Sequence, residues 1–178
     1  MKNTILKWSL KEYSKKQRIL ALIPAGLFFL IVIPLILIIV SPYLDRFLKL
    51  PKLILGPFNI FIALILIIPG LLFAGWSVLA QFKIGKGTPV PIIPTQKLVV
   101  VKPFNYSRNP MTLGTILYYL GIGVWLGSLS TIAIAILIAL ILITYIKLVE
   151  EKELEARFGQ EYIEYKKRTP FIISRKKK

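Results

Sequence analysis

Residues 111–146 read MTLGTILYYLGIGVWLGSLSTIAIAILIALILITYI. The stretch holds no charged residue, and its one clear break is Gly127-Ser128. It divides into two apolar runs, 111–126 and 129–146, each close to the ~20 residues that a bilayer-crossing helix needs. A two-residue connection forces antiparallel neighbours, so the pair reads as a tight helical hairpin.

Working toward the N-terminus, two more uncharged runs follow, 60–79 and 19–40. Four transmembrane helices are therefore expected. The first run is too long for a cleavable signal, and no small-residue cleavage site follows it. Pro24 and Pro34 interrupt it, and Pro69-Gly70 interrupts the second. Inside a membrane bundle such kinks are tolerated when neighbours satisfy the freed carbonyls.

Composition agrees. Of 178 residues, 56% are hydrophobic and 18% charged, where a soluble domain has about 45–50% and about 25%. A disordered chain is excluded, and the composition argues against an ordinary water-soluble globule. There is no Cys and no His. Disulfide scaffolds, Cys or His metal sites, haem, Cys nucleophiles and His-based triads are excluded with them, and no metal is expected.

The net charge is +16, from 24 Lys+Arg and 8 Asp+Glu. Only Arg46, Lys49 and Lys52 lie between the first two runs, and none lies within the hairpin. Every other lysine and arginine falls on the opposite side if both termini are cytosolic. That asymmetry is the positive-inside pattern of a multi-pass integral membrane protein. The basic residues flank apolar runs and do not alternate with exposed aromatics, so anionic lipid head groups, not nucleic acid, are the expected partner.

On this topology one domain, 1–178, has a basic N-terminal segment (1–18), a cytosolic loop (85–110), a C-terminal amphipathic helix (147–170) and a basic tail (171–178). The loop carries Gly85, Gly87, Pro89, Pro91, Pro94, Pro103 and Pro110, which forbid a regular helix. Gly85-Lys86-Gly87 is a lone GxG and no dinucleotide fingerprint. Gly123 and Gly127 read as a small-residue helix contact. In the tail, Leu154, Phe158, Tyr162 and Tyr165 recur at helical spacing, and six of the eight acidic residues lie between Glu150 and Glu164. Glu151 shares the stripe's face and Glu150 borders it. Two readings stand: an interfacial helix with a solvated charge run, or Glu150 and Glu151 facing a cavity where a cation or hydrogen-bond donor meets them.

Loop and tail together resemble the isoprenylcysteine carboxyl methyltransferase family and its phospholipid methyltransferase relatives. The resemblance rests on Arg108-Asn109-Pro110 with Gly114, on Glu150-Glu151-Lys152-Glu153-Leu154, on Phe158-Gly159-Gln160-Glu161-Tyr162-Ile163-Glu164-Tyr165, and on the run Tyr165 to Pro170. It covers about residues 85–170. The pattern departs from the family at Asn109 (more often His), Thr112 (Tyr), Lys102 (Gly) and Phe104 (Tyr).

The resemblance implies an S-adenosylmethionine-dependent methyltransferase acting on a lipophilic acceptor that enters from the bilayer. It implies Arg108 and Glu151 as catalytic residues. It places Leu98, Val99, Pro103, Phe104, Tyr106, Asn109, Pro110, Met111, Gly114 and Glu150 around the cofactor. The acceptor stays open between a prenylcysteine carboxylate, another isoprenoid and a phospholipid amine. A non-catalytic protein that keeps the scaffold is the alternative reading. A small transporter is disfavoured, since no charge lies within a span.

Overall fold

The computed structural model describes residues 11–88 and 93–172. Residues 1–10 of the basic N-terminal segment, 89–92 of the loop and 173–178 of the basic tail lie outside the described residues. Among the described residues every regular element is helical. They are α1 (Lys15–Leu27), a π-helical turn (Phe28–Val32), α2 (Ile33–Phe47), α3 (Phe58–Lys83), α4 (Pro110–Leu126), α5 (Leu129–Tyr145), a second π-helical turn (Ile146–Glu150), α6 (Glu151–Phe158) and α7 (Gln160–Arg168).

Through the π turns, α1 and α2 form one helix from Lys15 to Phe47, and α5 and α6 one helix from Leu129 to Phe158. With α3 these make three helices long and apolar enough to cross a membrane, and α4 is a shorter apolar helix. The 17 residues of α4 span about 25 Å, against a hydrocarbon thickness of about 30 Å. The helices overrun the charge-free runs at most ends. Helical hydrogen bonding does not stop where charge begins; α3 starts just after Gly56-Pro57 and ends just before Gly85. Large apolar side chains point outward, among them Leu20 (70% exposed), Phe61 (67%) and Ile141 (59%). Lipid tails suit such a surface and water does not. The chain is an all-helical membrane protein.

The described residues fall into two compact units. One comprises residues 26–74 and 112–142. Its core is Leu37, Tyr119, Ile122 and Ala135. Here Pro34 sits two residues beyond the first π turn, and it supplies no N–H to the turn before it. The carbonyls that a residue 34 N–H would reach are Leu30 in α register and Phe29 in π register; the Ile33 N–H already reaches back to Phe28. Both are satisfied from α4: Tyr119 OH donates to Phe29 O (2.8 Å) and Tyr118 OH to Leu30 O (3.2 Å).

The helix contacts of this unit use missing side chains. A Cβ on Gly114 would stand 2.5 Å from Gly70 O and 2.7 Å from Ala74 N. A Cβ on Gly123 would stand 2.8 Å from Ile132 Cγ1 and 3.1 Å from its N. Gly127 does not join a small-residue stripe. It makes the hairpin turn, with φ +61, and its carbonyl accepts the Leu53 N–H at 2.9 Å. The first turn of α5 is capped from α2, where Asp45 Oδ1 accepts the Ser130 N–H at 2.9 Å.

The other unit comprises the described residues up to Ala25, then 75–111, and those from Ile143 onward. Its core is Ala80, Val99, Phe104, Tyr162 and Tyr165, with Leu98, Val100, Leu154 and Phe158 packed against it. The loop is irregular yet ordered. Thr88 N–H donates to Ile93 O (2.9 Å) and Gln96 N–H to Gly85 O (2.6 Å), closing a narrow neck. A Cβ on Gly87 would meet the Thr95 backbone at 2.6 Å. Gly85 and Gly87 therefore serve close backbone approach.

Candidate functional site

The site is built where the loop meets the tail. Pro110 takes the first position of α4, where its missing N–H is no loss and its fixed φ suits a helix start. That sets Arg108 and Asn109 in the turn just before the helix. The second π turn leads α5 into α6 and brings Glu150 and Glu151 to the start of α6. Gly159 then breaks the tail with φ +54, a conformation that suits glycine. The break lets α7 fold back along α6.

The apolar stripe of the tail faces protein, not lipid. Leu154, Phe158, Tyr162 and Tyr165 join one apolar cluster with Ala80 and with Val99 and Phe104 of the loop, and Tyr165 OH donates to Phe104 O at 2.6 Å. This overturns the interfacial-helix reading of the stripe.

Beside that core lies a network of ion pairs. Arg108 Nη1 meets Glu151 Oε1 at 2.5 Å, and Lys166 Nζ meets Glu151 Oε2 at 2.7 Å. Lys166 also meets Glu155 Oε1 at 2.8 Å. Glu151 is buried, and both its oxygens are taken. Glu150 is half-buried and makes no ion pair among the described residues. Arg157 is tied down by Glu153 (3.1 Å) and by the Thr95 carbonyl.

The network shifts protonation. The hydrogen bonds to Glu151 and Glu155 hold the Lys166 ammonium above the usual lysine range. Burial, reinforced by the charge of Glu151, pushes the Tyr162 phenol up to about 12, against the pull of Arg108. Burial raises Tyr165 as well. One donor of the network is unmet: Arg108 Nε is buried without a hydrogen-bond partner.

The end of the tail closes over the same turn. The Arg108 N–H donates to Pro170 O at 2.9 Å. Ser107 Oγ and Asn109 Nδ2 both donate to Phe171 O, at 3.2 and 3.0 Å. The Phe171 ring lies 5.6 Å from Arg108 Cζ and 5.2 Å from Lys147 Nζ.

Of the residues expected around a cofactor, the structure brings Arg108, Asn109 and Glu151 into one unit beside a core holding Leu98, Val99 and Phe104. Pro103 and Pro110 are fully buried. Tyr106 stands apart, 47% exposed, with Lys102 Nζ 5.5 Å from its ring. Met111 lies half-buried in the first turn of α4. Gly114 belongs to the other unit, where it faces Gly70 and Ala74. Ser107, Lys147, Lys166 and Phe171 were not singled out by the sequence. Lys166 had a signal, standing one residue after Tyr165 on the stripe's border.

No curated protein and no solved structure matches the chain significantly. The phospholipid methyltransferase family model matches residues 58–161. That range runs from the first residue of α3 to Glu161 in α7. It takes in both Arg108-Asn109-Pro110 and Glu150-Glu151. More than half of the chain is matched, and the chain belongs to the phospholipid methyltransferase family.

Proposed function

We propose that this membrane methyltransferase carries a methyl group from S-adenosylmethionine to a lipophilic acceptor at the membrane face that holds the loop and tail. The observation that carries the reading is the largely buried Arg108–Glu151 pair, joined by the partly exposed Lys166, with Arg108 Nε left unmet. A buried donor without a partner is uncommon, and a ligand carboxylate supplies the missing acceptor. The donor set thus fits the amino-acid end of that cofactor: Arg108 for its carboxylate and Glu150, the carboxylate without an ion pair, for its ammonium. Glu151, its oxygens spent on Arg108 and Lys166, is a positioning residue that fixes the guanidinium.

When bound, the cofactor supplies an electrophilic methyl group whose departure leaves a neutral thioether. The chain's own work is then alignment, which is worth up to about 7–11 kcal/mol of barrier. A carboxylate acceptor needs no base, so a chain without His or Cys suffices. An amine acceptor must lose a proton, which Glu150 does not take while it holds the cofactor's ammonium. The distribution of Lys and Arg supports both termini facing the cytosol.

The test is calorimetric titration of the detergent-purified chain with S-adenosylhomocysteine, followed by methyl transfer assays with phosphatidylethanolamine and with a farnesylated cysteine. Saturable binding that is lost in Arg108→Ala supports the reading. Equal binding by Arg108→Ala overturns the site.

A further inference from the structure

The contacts of Pro170 and Phe171 carry an inference that rests on the cofactor reading above. Three donors of the Ser107–Asn109 turn are spent on the chain's own C-terminal segment: the Arg108 N–H on Pro170 O, and Ser107 Oγ and Asn109 Nδ2 together on Phe171 O. Two donors saturate the two lone pairs of that carbonyl. The Phe171 ring has two cations within reach, Arg108 Cζ at 5.6 Å and Lys147 Nζ at 5.2 Å, an arrangement that cation–π attraction favours.

We propose that residues 170–172 form a strap that latches the cofactor site shut and must release before the cofactor binds. The fixed end of the strap is Thr169, which is buried and whose N–H donates to Tyr165 O at 3.0 Å. Residues 170–172 lie outside any helix, and all three are only half-buried. The closed arrangement leaves Arg108 Nε without an acceptor, so it satisfies the Arg108 N–H and the Ser107 and Asn109 side-chain donors but not that one atom of the guanidinium. A ligand carboxylate satisfies the guanidinium and competes for the same face. The hinge is the step from Thr169 to Pro170, and the moving parts are the Phe171 ring and carbonyl.

The test compares S-adenosylhomocysteine affinity in the unaltered chain and in Phe171→Ala. Release of the latch predicts at least fivefold tighter binding by Phe171→Ala. Equal or weaker binding by Phe171→Ala, with the unaltered chain still binding, overturns the strap and leaves the cofactor reading standing. Binding by neither protein overturns both. A second measurement does not depend on the ring. The chain has no cysteine, so Asn105→Cys with Ile172→Cys accepts a spin-label pair without background. Saturating S-adenosylhomocysteine lengthens or broadens the label distance if the strap opens, and an unchanged distribution overturns the proposal.

Discussion

Arg108 and Glu151 face each other across 43 residues of sequence and 2.5 Å of space, with side chains 11% and 8% exposed. Lys166 takes the second oxygen of the same carboxylate. Removing one member of such a buried pair leaves an uncompensated charge, at a cost of about 3–5 kcal/mol. Glu151→Gln is therefore expected to lower the unfolding temperature sharply in detergent. Glu150→Gln breaks no ion pair and is expected to leave stability within about 1 kcal/mol, yet to weaken S-adenosylhomocysteine at least tenfold, about 1.4 kcal/mol. The reverse pattern, with Glu151→Gln stable and Glu150→Gln binding normally, would exchange the roles of the two carboxylates.

Tyr119 donates to a carbonyl that Pro34 cannot serve. Tyr119→Phe strands the Phe29 acceptor at a cost of about 1–3 kcal/mol. Pro34→Ala restores an N–H at that position. In the Pro34→Ala background the Tyr119→Phe penalty is expected to fall by at least half, which a double-mutant cycle on thermal unfolding measures. Additive effects would show that the hydroxyl and the proline act independently.

Gly114→Ala places a methyl 2.5 Å from Gly70 O, and backbone cannot give way as a side chain can. A loss of about 1–3 kcal/mol is expected. If Gly114 packs and does not line the cofactor, the folded fraction of Gly114→Ala binds S-adenosylhomocysteine with wild-type affinity.

Alkaline pH tests the tail core. Tyr162 is 2% exposed, and its phenol is pushed up from 10.0 to about 12. A raised folded value means that the folded state keeps its proton longer than the unfolded one. The contribution is whole below pH 10 and is lost as pH rises toward 12, by up to about 3 kcal/mol. Thermal stability is expected to fall above pH 10, and less steeply in Tyr162→Phe. Parallel curves would show that the phenol does not titrate in this window.

The membrane helices are legible in the sequence because charge is absent from them; their ends are not, since backbone hydrogen bonding continues through Lys15 and out to Phe158. The pairing of loop with tail is legible only as a resemblance. Glu151 and Lys166 lie fifteen residues apart with Gly159 between them, and the break at φ +54 resets the helical phase by which their meeting would be inferred. Gly114 shows a different limit. A glycine that lets a ligand approach and one that lets a helix approach look identical until the neighbour is seen. Phe171 follows Pro170, which marks the helix end without saying where the chain goes next.

Asp45 and Ser130 impose a schedule on synthesis. They are separated by 85 residues. At translation speeds of 5–20 residues per second, Asp45 emerges about 4–17 s before the amide it caps. During that interval α2 ends in a carboxylate with no helix to receive it, beside Arg46 and Lys49. The hairpin is thus the last part of its unit to arrive, and it docks onto a first helix whose capping group has been waiting.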